Sequence, residues 1–140
     1  MGEQGRREDQ TGLAAFPTAE SARVTILLVD DDPLLRNLVR RMLTRAGYEV
    51  LVATGGAQAL ALAAEHRIDL LLTDVIMPGM DGRQLAEAIL AQQPEARVLF
   101  MSGCFDGSLS LAEQQQLPIL LLKPFTREAL AARVEQILLS

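Results

Sequence analysis

The chain has one cysteine, Cys104, and one histidine, His66, among its 140 residues. A single thiol excludes an internal disulfide and any zinc cage built on cysteines, and it is compatible with a reducing compartment, which points to the cytoplasm. No apolar run approaches the ~20 residues that a membrane-spanning helix requires, and the amino terminus lacks the apolar stretch of a signal peptide. Basic clustering is equally sparse. The net charge is -5, whereas neutralising a nucleic-acid backbone takes clustered Lys and Arg. The one local basic run, Arg36, Arg40, Arg41 and Arg45, spreads at helical spacing over what reads as the solvated side of one helix. Neither nucleic acid nor a membrane is an expected partner.

What remains fits one domain with a core large enough to stand without metal or disulfide staples. Residues 1–23 are rich in Gly, Gln, Glu and Arg with little periodicity, and read as a flexible leader; 24–140 read as the domain. Within it, apolar runs of strand length alternate with helical patterns. Thr25 to Val29 is a strand ending in Asp30-Asp31-Asp32. Pro33 suits a first helical turn, and Leu34, Leu35, Leu38, Val39, Met42 and Leu43 recur at helical spacing until Gly47 offers a carboxyl cap. Glu49 to Ala53 is a second strand, Ala57 to Ala64 a second helix, and Ile68 to Asp74 a third strand that breaks into Met77-Pro78-Gly79. A helix from about Arg83 to Gln92 stops before Pro94. The strand Arg97 to Met101 follows, then a weaker helix near Leu109 to Gln116 and the strand Ile119 to Leu122. The last helix runs from Thr126, an N-cap, to near Leu139, with Leu130, Val134, Ile137 and Leu138 as its stripe. Continuously apolar strands alternating with helices predict a doubly wound α/β domain with a parallel sheet covered on both faces.

In such folds ligands bind beyond the carboxyl ends of the strands. Asp30 and Asp31 end the first strand, Asp74 the third, Ser102 the fourth and Lys123 the fifth. If these strands are neighbours, three carboxylates converge, and their mutual repulsion calls for a cation. The three carboxylates are all hard-oxygen donors, with no His or Cys nearby, which favours Mg2+ or Mn2+ over zinc. A metal that leaves a position for phosphate, a lysine and a carboxylate able to act as nucleophile together point to phosphoryl transfer. Lys123 would supply the cation and Ser102 a hydrogen-bond donor.

Four pieces in order carry a family resemblance: Ile26-Leu27-Leu28-Val29-Asp30-Asp31-Asp32; Asp74 with Met77-Pro78-Gly79-Met80-Asp81-Gly82; Met101-Ser102-Gly103; and Lys123-Pro124-Phe125. The chain from Val24 to about Leu139 resembles the receiver domains of two-component response regulators. The resemblance implies a flavodoxin-like (βα)5 fold with strand order 2-1-3-4-5. It also implies that Asp74 accepts a phosphoryl group from a phosphohistidine on a histidine kinase or histidine phosphotransfer protein. It assigns Asp30, Asp31, Asp74 and the backbone carbonyl of Ile76 to the metal, Ser102 to the switch hydroxyl and Lys123 to the phosphoryl group, with the Lys123-Pro124 bond usually cis. Such a domain is a signalling phosphoacceptor rather than an enzyme, although it assists its own phosphorylation and dephosphorylation. With the chain ending at Ser140 no output module is expected. The Met-Ser-Gly piece looks like receivers attached to hybrid histidine kinases, and an unidentified target protein would dock on the helix near 109–116, the last strand and the last helix.

Two positions depart from the family pattern. Leu120 stands where a switch aromatic is usual, and Ser102 replaces the commoner threonine. A pseudo-receiver that keeps the fold but carries no phosphate is the alternative that Leu120 supports. A haloacid-dehalogenase-like phosphohydrolase, suggested by Asp30-x-Asp32, lacks its second acidic pair, because Lys123-Pro124 occupies that place. Plain structural roles suit the rest: Asp32 and Asp81 as helix caps, His66 near a helix end, Cys104 as a loop residue, and Gly79, Gly82 and Gly103 for backbone geometry.

Overall fold

The computed structural model describes residues 24–103, 120–123 and 125–139, with 102, 103 and 120–123 described by backbone alone. The expected leader, the helix near 109–116, Cys104 and Pro124 lie outside the described residues.

Strand β1 (Thr25–Val29) pairs in parallel with β2 (Glu49–Ala53) on one side and β3 (Leu70–Asp74) on the other. β4 (Arg97–Gly103) joins β3, giving the order β2-β1-β3-β4, and the backbone of β5 (Leu120–Lys123) pairs along the outer side of β4. Helices α1 (Pro33–Arg45), α2 (Gly56–Glu65) and α3 (Gly82–Gln92) connect the first four strands, and α4 (Arg127–Leu139) follows β5.

Period-two alternation along β1 divides the core. Ile26 and Leu28 point to one face, where they meet Val39 and Leu43 of α1 and Leu130, Val134 and Ile137 of α4. Leu27 and Val29 point to the other, packing with Ala59 and Ala63 of α2 and Leu85 and Ile89 of α3. Both faces are dry, so a continuously apolar strand is the stable solution, and each fully buried Leu or Ile contributes roughly 1.5–3 kcal/mol of transfer free energy.

The helix ends follow from local chemistry. The Asp32 carboxylate accepts from the Leu34 amide at 3.0 Å, with Pro33 in the first turn. At the other end Gly47, at φ +100°, closes a Schellman turn: its amide donates to the Thr44 carbonyl at 3.0 Å, and the Tyr48 amide to Leu43 at 3.2 Å. Asp81 and Gln84 form a reciprocal capping box on α3, and the Thr126 hydroxyl accepts from the Ala129 amide at 3.0 Å. Gln93 ends α3 before Pro94.

Three expectations are corrected. Leu34 and Leu38 do not join the core: they are 82% and 49% exposed, because α1 packs along the line of Leu35, Val39, Met42 and Leu43 and turns its Leu34-Leu38 side outward. Arg36 is not part of a purely solvated face, since its guanidinium donates to the Asp30 carbonyl at 2.7 Å. β4 continues through Gly103, so Ser102 is its penultimate residue, held in the ladder by pairing with Leu122. Among the described residues no helix is long and apolar enough to cross a membrane.

Candidate functional site

Where β1 stops, its three consecutive acids take different roles. Asp30 is fully buried; its amide donates to the Ala53 carbonyl at 3.3 Å, extending the contact with β2, and its Oδ1 accepts the Asp32 amide at 2.9 Å. Asp32 turns to α1 as its cap, and Asp31 is exposed. Two strand widths are not needed to bring the third acid near, because β3 is the direct neighbour of β1. One carboxylate oxygen from each of Asp30, Asp31 and Asp74 lies within 4.8 Å of the others. At an effective dielectric of about 20, two unit charges no more than 4.8 Å apart repel by about 3.5 kcal/mol or more, lessened where water reaches Asp31. Hard oxygen donors at this spacing fit a divalent cation such as Mg2+ or Mn2+, which would bridge them.

The turn after Asp74 is held by backbone. The Val75 amide donates to the Met101 carbonyl at 3.0 Å, carrying the β3–β4 ladder one residue past Asp74, and the Gly82 amide donates to the Val75 carbonyl at 2.7 Å. Gly82 is required by this approach, since a Cβ there would run into the Asp74 carbonyl oxygen. That oxygen also accepts the buried Thr73 hydroxyl at 3.0 Å. Gly79, at φ +82°, supplies the left-handed turn between Pro78 and Met80. Ile76 sits in this loop two residues beyond Asp74, with its side chain 45% exposed.

Register places the remaining candidates on the same edge of the sheet. Asp74 pairs with Met101, so Ser102 lies one residue farther along β4, and Lys123 pairs with Gly103 at the carboxyl end of β5. His66 is not drawn to the site: it caps the end of α2, where its carbonyl accepts from Gln93. Arg36 and Thr73 are contributors that the sequence did not single out for this edge. The α1 periodicity could have drawn attention to Arg36, which lies one turn past Pro33.

The family model for the response regulator receiver domain matches residues 26–135. The chain belongs to the response regulator receiver domains. This receiver domain is 33% identical over 118 residues to the response regulator receiver protein CpdR of Brucella abortus, covering 82% of this chain and 97% of that one. It is 36% identical over 116 residues to the transcriptional regulatory protein GlrR of Escherichia coli, where it covers 81% of this chain but 26% of the relative; the chain thus spans about a quarter of that regulator's length. The structure of the chemotaxis protein CheY4 of Vibrio cholerae superposes with a TM-score of 0.74 at 31% identity, covering 83% of this chain and 99% of that one. As members of two-component systems, receiver domains interact with histidine kinases and are signalling phosphoacceptors rather than enzymes.

Proposed function

We propose that this receiver domain is a phosphoacceptor in a two-component phosphorelay, taking a phosphoryl group from the phosphohistidine of a histidine kinase or phosphotransfer protein onto Asp74. The observation that carries this reading is the convergence of Asp30, Asp31 and Asp74 within 4.8 Å at the carboxyl edge of the sheet. Asp30, Asp31, Asp74 and the Ile76 carbonyl would hold Mg2+ or Mn2+, which when bound neutralises charge on the phosphoryl oxygens. An Asp74 carboxylate oxygen attacks phosphorus, forming an acyl phosphate as the N–P bond breaks. The electron pair leaves on the imidazole of the donor, which ends as neutral histidine after taking a proton. Lys123 offers a fixed positive charge to the transferred group, and the Ser102 hydroxyl a hydrogen bond to one of its oxygens. Attack by water on the phosphorus of the acyl phosphate breaks the O–P bond, releases inorganic phosphate and returns the free carboxylate.

The complete (βα)5 domain belongs to this reading. So do a cytoplasmic location and an output transmitted through a changed interaction surface to a protein target, with no direct contact to nucleic acid. Leu120 lends support to one second reading, the pseudo-receiver, because it removes the aromatic through which phosphorylation is usually relayed.

Incubation with acetyl phosphate and Mg2+ is expected to add one phosphoryl group, base-labile and acid-stable, that Asp74→Asn abolishes; intact-mass spectrometry reads both. Undiminished labelling in Asp74→Asn would overturn the assignment. A wild-type protein that binds Mg2+ yet takes no phosphate from small donors or from a cognate kinase would instead establish the pseudo-receiver.

A further inference from the structure

Asp31 presents a problem of aim. It is exposed, and among the described residues no hydrogen bond holds its carboxylate, yet that carboxylate lies within 4.8 Å of those of Asp30 and Asp74. Its direction must come from the backbone. The Asp30 carbonyl and the Asp31 amide share one planar peptide, so fixing the carbonyl fixes the plane from which the Asp31 side chain departs. Beyond Val29 the pairing of β1 with β3 has ended, and this carbonyl finds its partner in the Arg36 guanidinium at 2.7 Å. Arg36 lies one turn into α1, whose start is set by the Asp32 cap and Pro33, and the Asp32 amide in turn grips Asp30 Oδ1 at 2.9 Å. Turn and helix therefore form a closed loop of bonds around the Asp30-Asp31 peptide.

We propose that Arg36 is a positioning residue of the metal site: by clamping the Asp30 carbonyl it orients the Asp30-Asp31 peptide so that both carboxylates converge with Asp74. This rests on the reading of the acidic cluster as a divalent-cation site. Arg36 acts through the backbone of a ligand, its guanidinium being bonded to the Asp30 carbonyl. Partners that orient ligands from outside the coordination sphere commonly alter metal affinity by tenfold or more. The charge of Arg36 works in the opposite direction. A guanidinium near a cation site repels the cation, so its removal by charge alone would tighten binding. Positioning and charge thus predict changes of opposite sign.

The test is calorimetric titration of the full chain with Mg2+, comparing wild type, Arg36→Met, Arg36→Lys and, as a reference for a lost ligand, Asp31→Ala. Arg36→Met is expected to weaken Mg2+ binding about tenfold, less than Asp31→Ala does. Arg36→Lys, which retains a donor but not the planar fork, should fall between Arg36→Met and wild type. Unchanged or tighter binding in Arg36→Met overturns the proposal. So does a lowered melting temperature of the metal-free protein with unchanged Mg2+ affinity, which would confine Arg36 to holding α1. If Arg36→Met does not fold, Arg36→Lys decides on the same criterion. Failure of wild type to bind Mg2+ would instead remove the cation site on which the inference depends.

Discussion

Gly82 opens α3 with its amide 2.7 Å from the Val75 carbonyl, and there is no room between it and the Asp74 backbone for a side chain. A methyl group would have to push back the peptide that follows Asp74, the proposed phosphoacceptor, rather than a flexible side chain. Gly82→Ala is expected to lower stability by about 1–3 kcal/mol, the usual cost of overpacking, as measured by urea denaturation. The same substitution should slow acetyl phosphate labelling of Asp74, because the carbonyl it displaces belongs to that residue. The sequence placed Gly82 in a backbone role. The close approach itself was not legible, since it depends on how α3 is laid against the end of β3. Arg36 shows the same limit: its spacing assigned it to a helix face, and only the path of β1 into α1 showed which atom that face meets.

At the scale of elements, Gln93 ties three segments together at the amino edge of the sheet, opposite the candidate site. Its Nε2 donates to the Ala63 and His66 carbonyls, both at 2.8 Å, and its Oε1 accepts the Ile68 amide at 2.7 Å. One amide side chain thus satisfies the end of α2 and the entry to β3, where neither helix nor ladder supplies partners. Gln93→Ala leaves those groups without it, and a loss of about 1–3 kcal/mol is expected in denaturation, with faster hydrogen exchange at the Ile68 amide. The caps at Asp32, Asp81 and Thr126 and the turn at Gly47 were legible because each is decided within a few residues. Gln93 read only as a residue before Pro94, because its partners lie 25 to 30 positions earlier in the chain.

For the molecule as a whole, the two apolar faces of the sheet are closed by helix pairs, and Tyr48 lies against the face shared by α1 and α4. Burial, reinforced by the negative charge of Glu135, raises the Tyr48 phenol above its ordinary 10.0. A raised phenol keeps its proton in the folded protein where the unfolded chain would lose it. The associated stability is therefore fully present below pH 10.0 and is lost as pH rises through the folded value. Stability should fall on moving into that alkaline range, and less steeply in Tyr48→Phe. Tyr48 is the only tyrosine and the chain has no tryptophan, so the phenolate absorbance of the native protein reads its titration directly. A midpoint at or below 10.0 would contradict the assignment.

The sequence by itself determined the alternation of strands and helices, the two-faced burial of β1 and β3, the capping residues and the family. Each of these follows from periodicity, from chemistry within a turn, or from motifs in fixed order. It also named Asp30, Asp31 and Asp74 as one group. Their separation was decided by the tertiary structure, because Asp74 lies 43 positions after Asp31 and only the direct β1–β3 pairing brings them within 4.8 Å. The exposure of Leu34 and Leu38, the reach of Arg36 to the Asp30 carbonyl and the tight seat of Gly82 were likewise settled by packing. A helical pattern defines which residues share a face, whereas the neighbour that face meets depends on how the helix lies across the sheet.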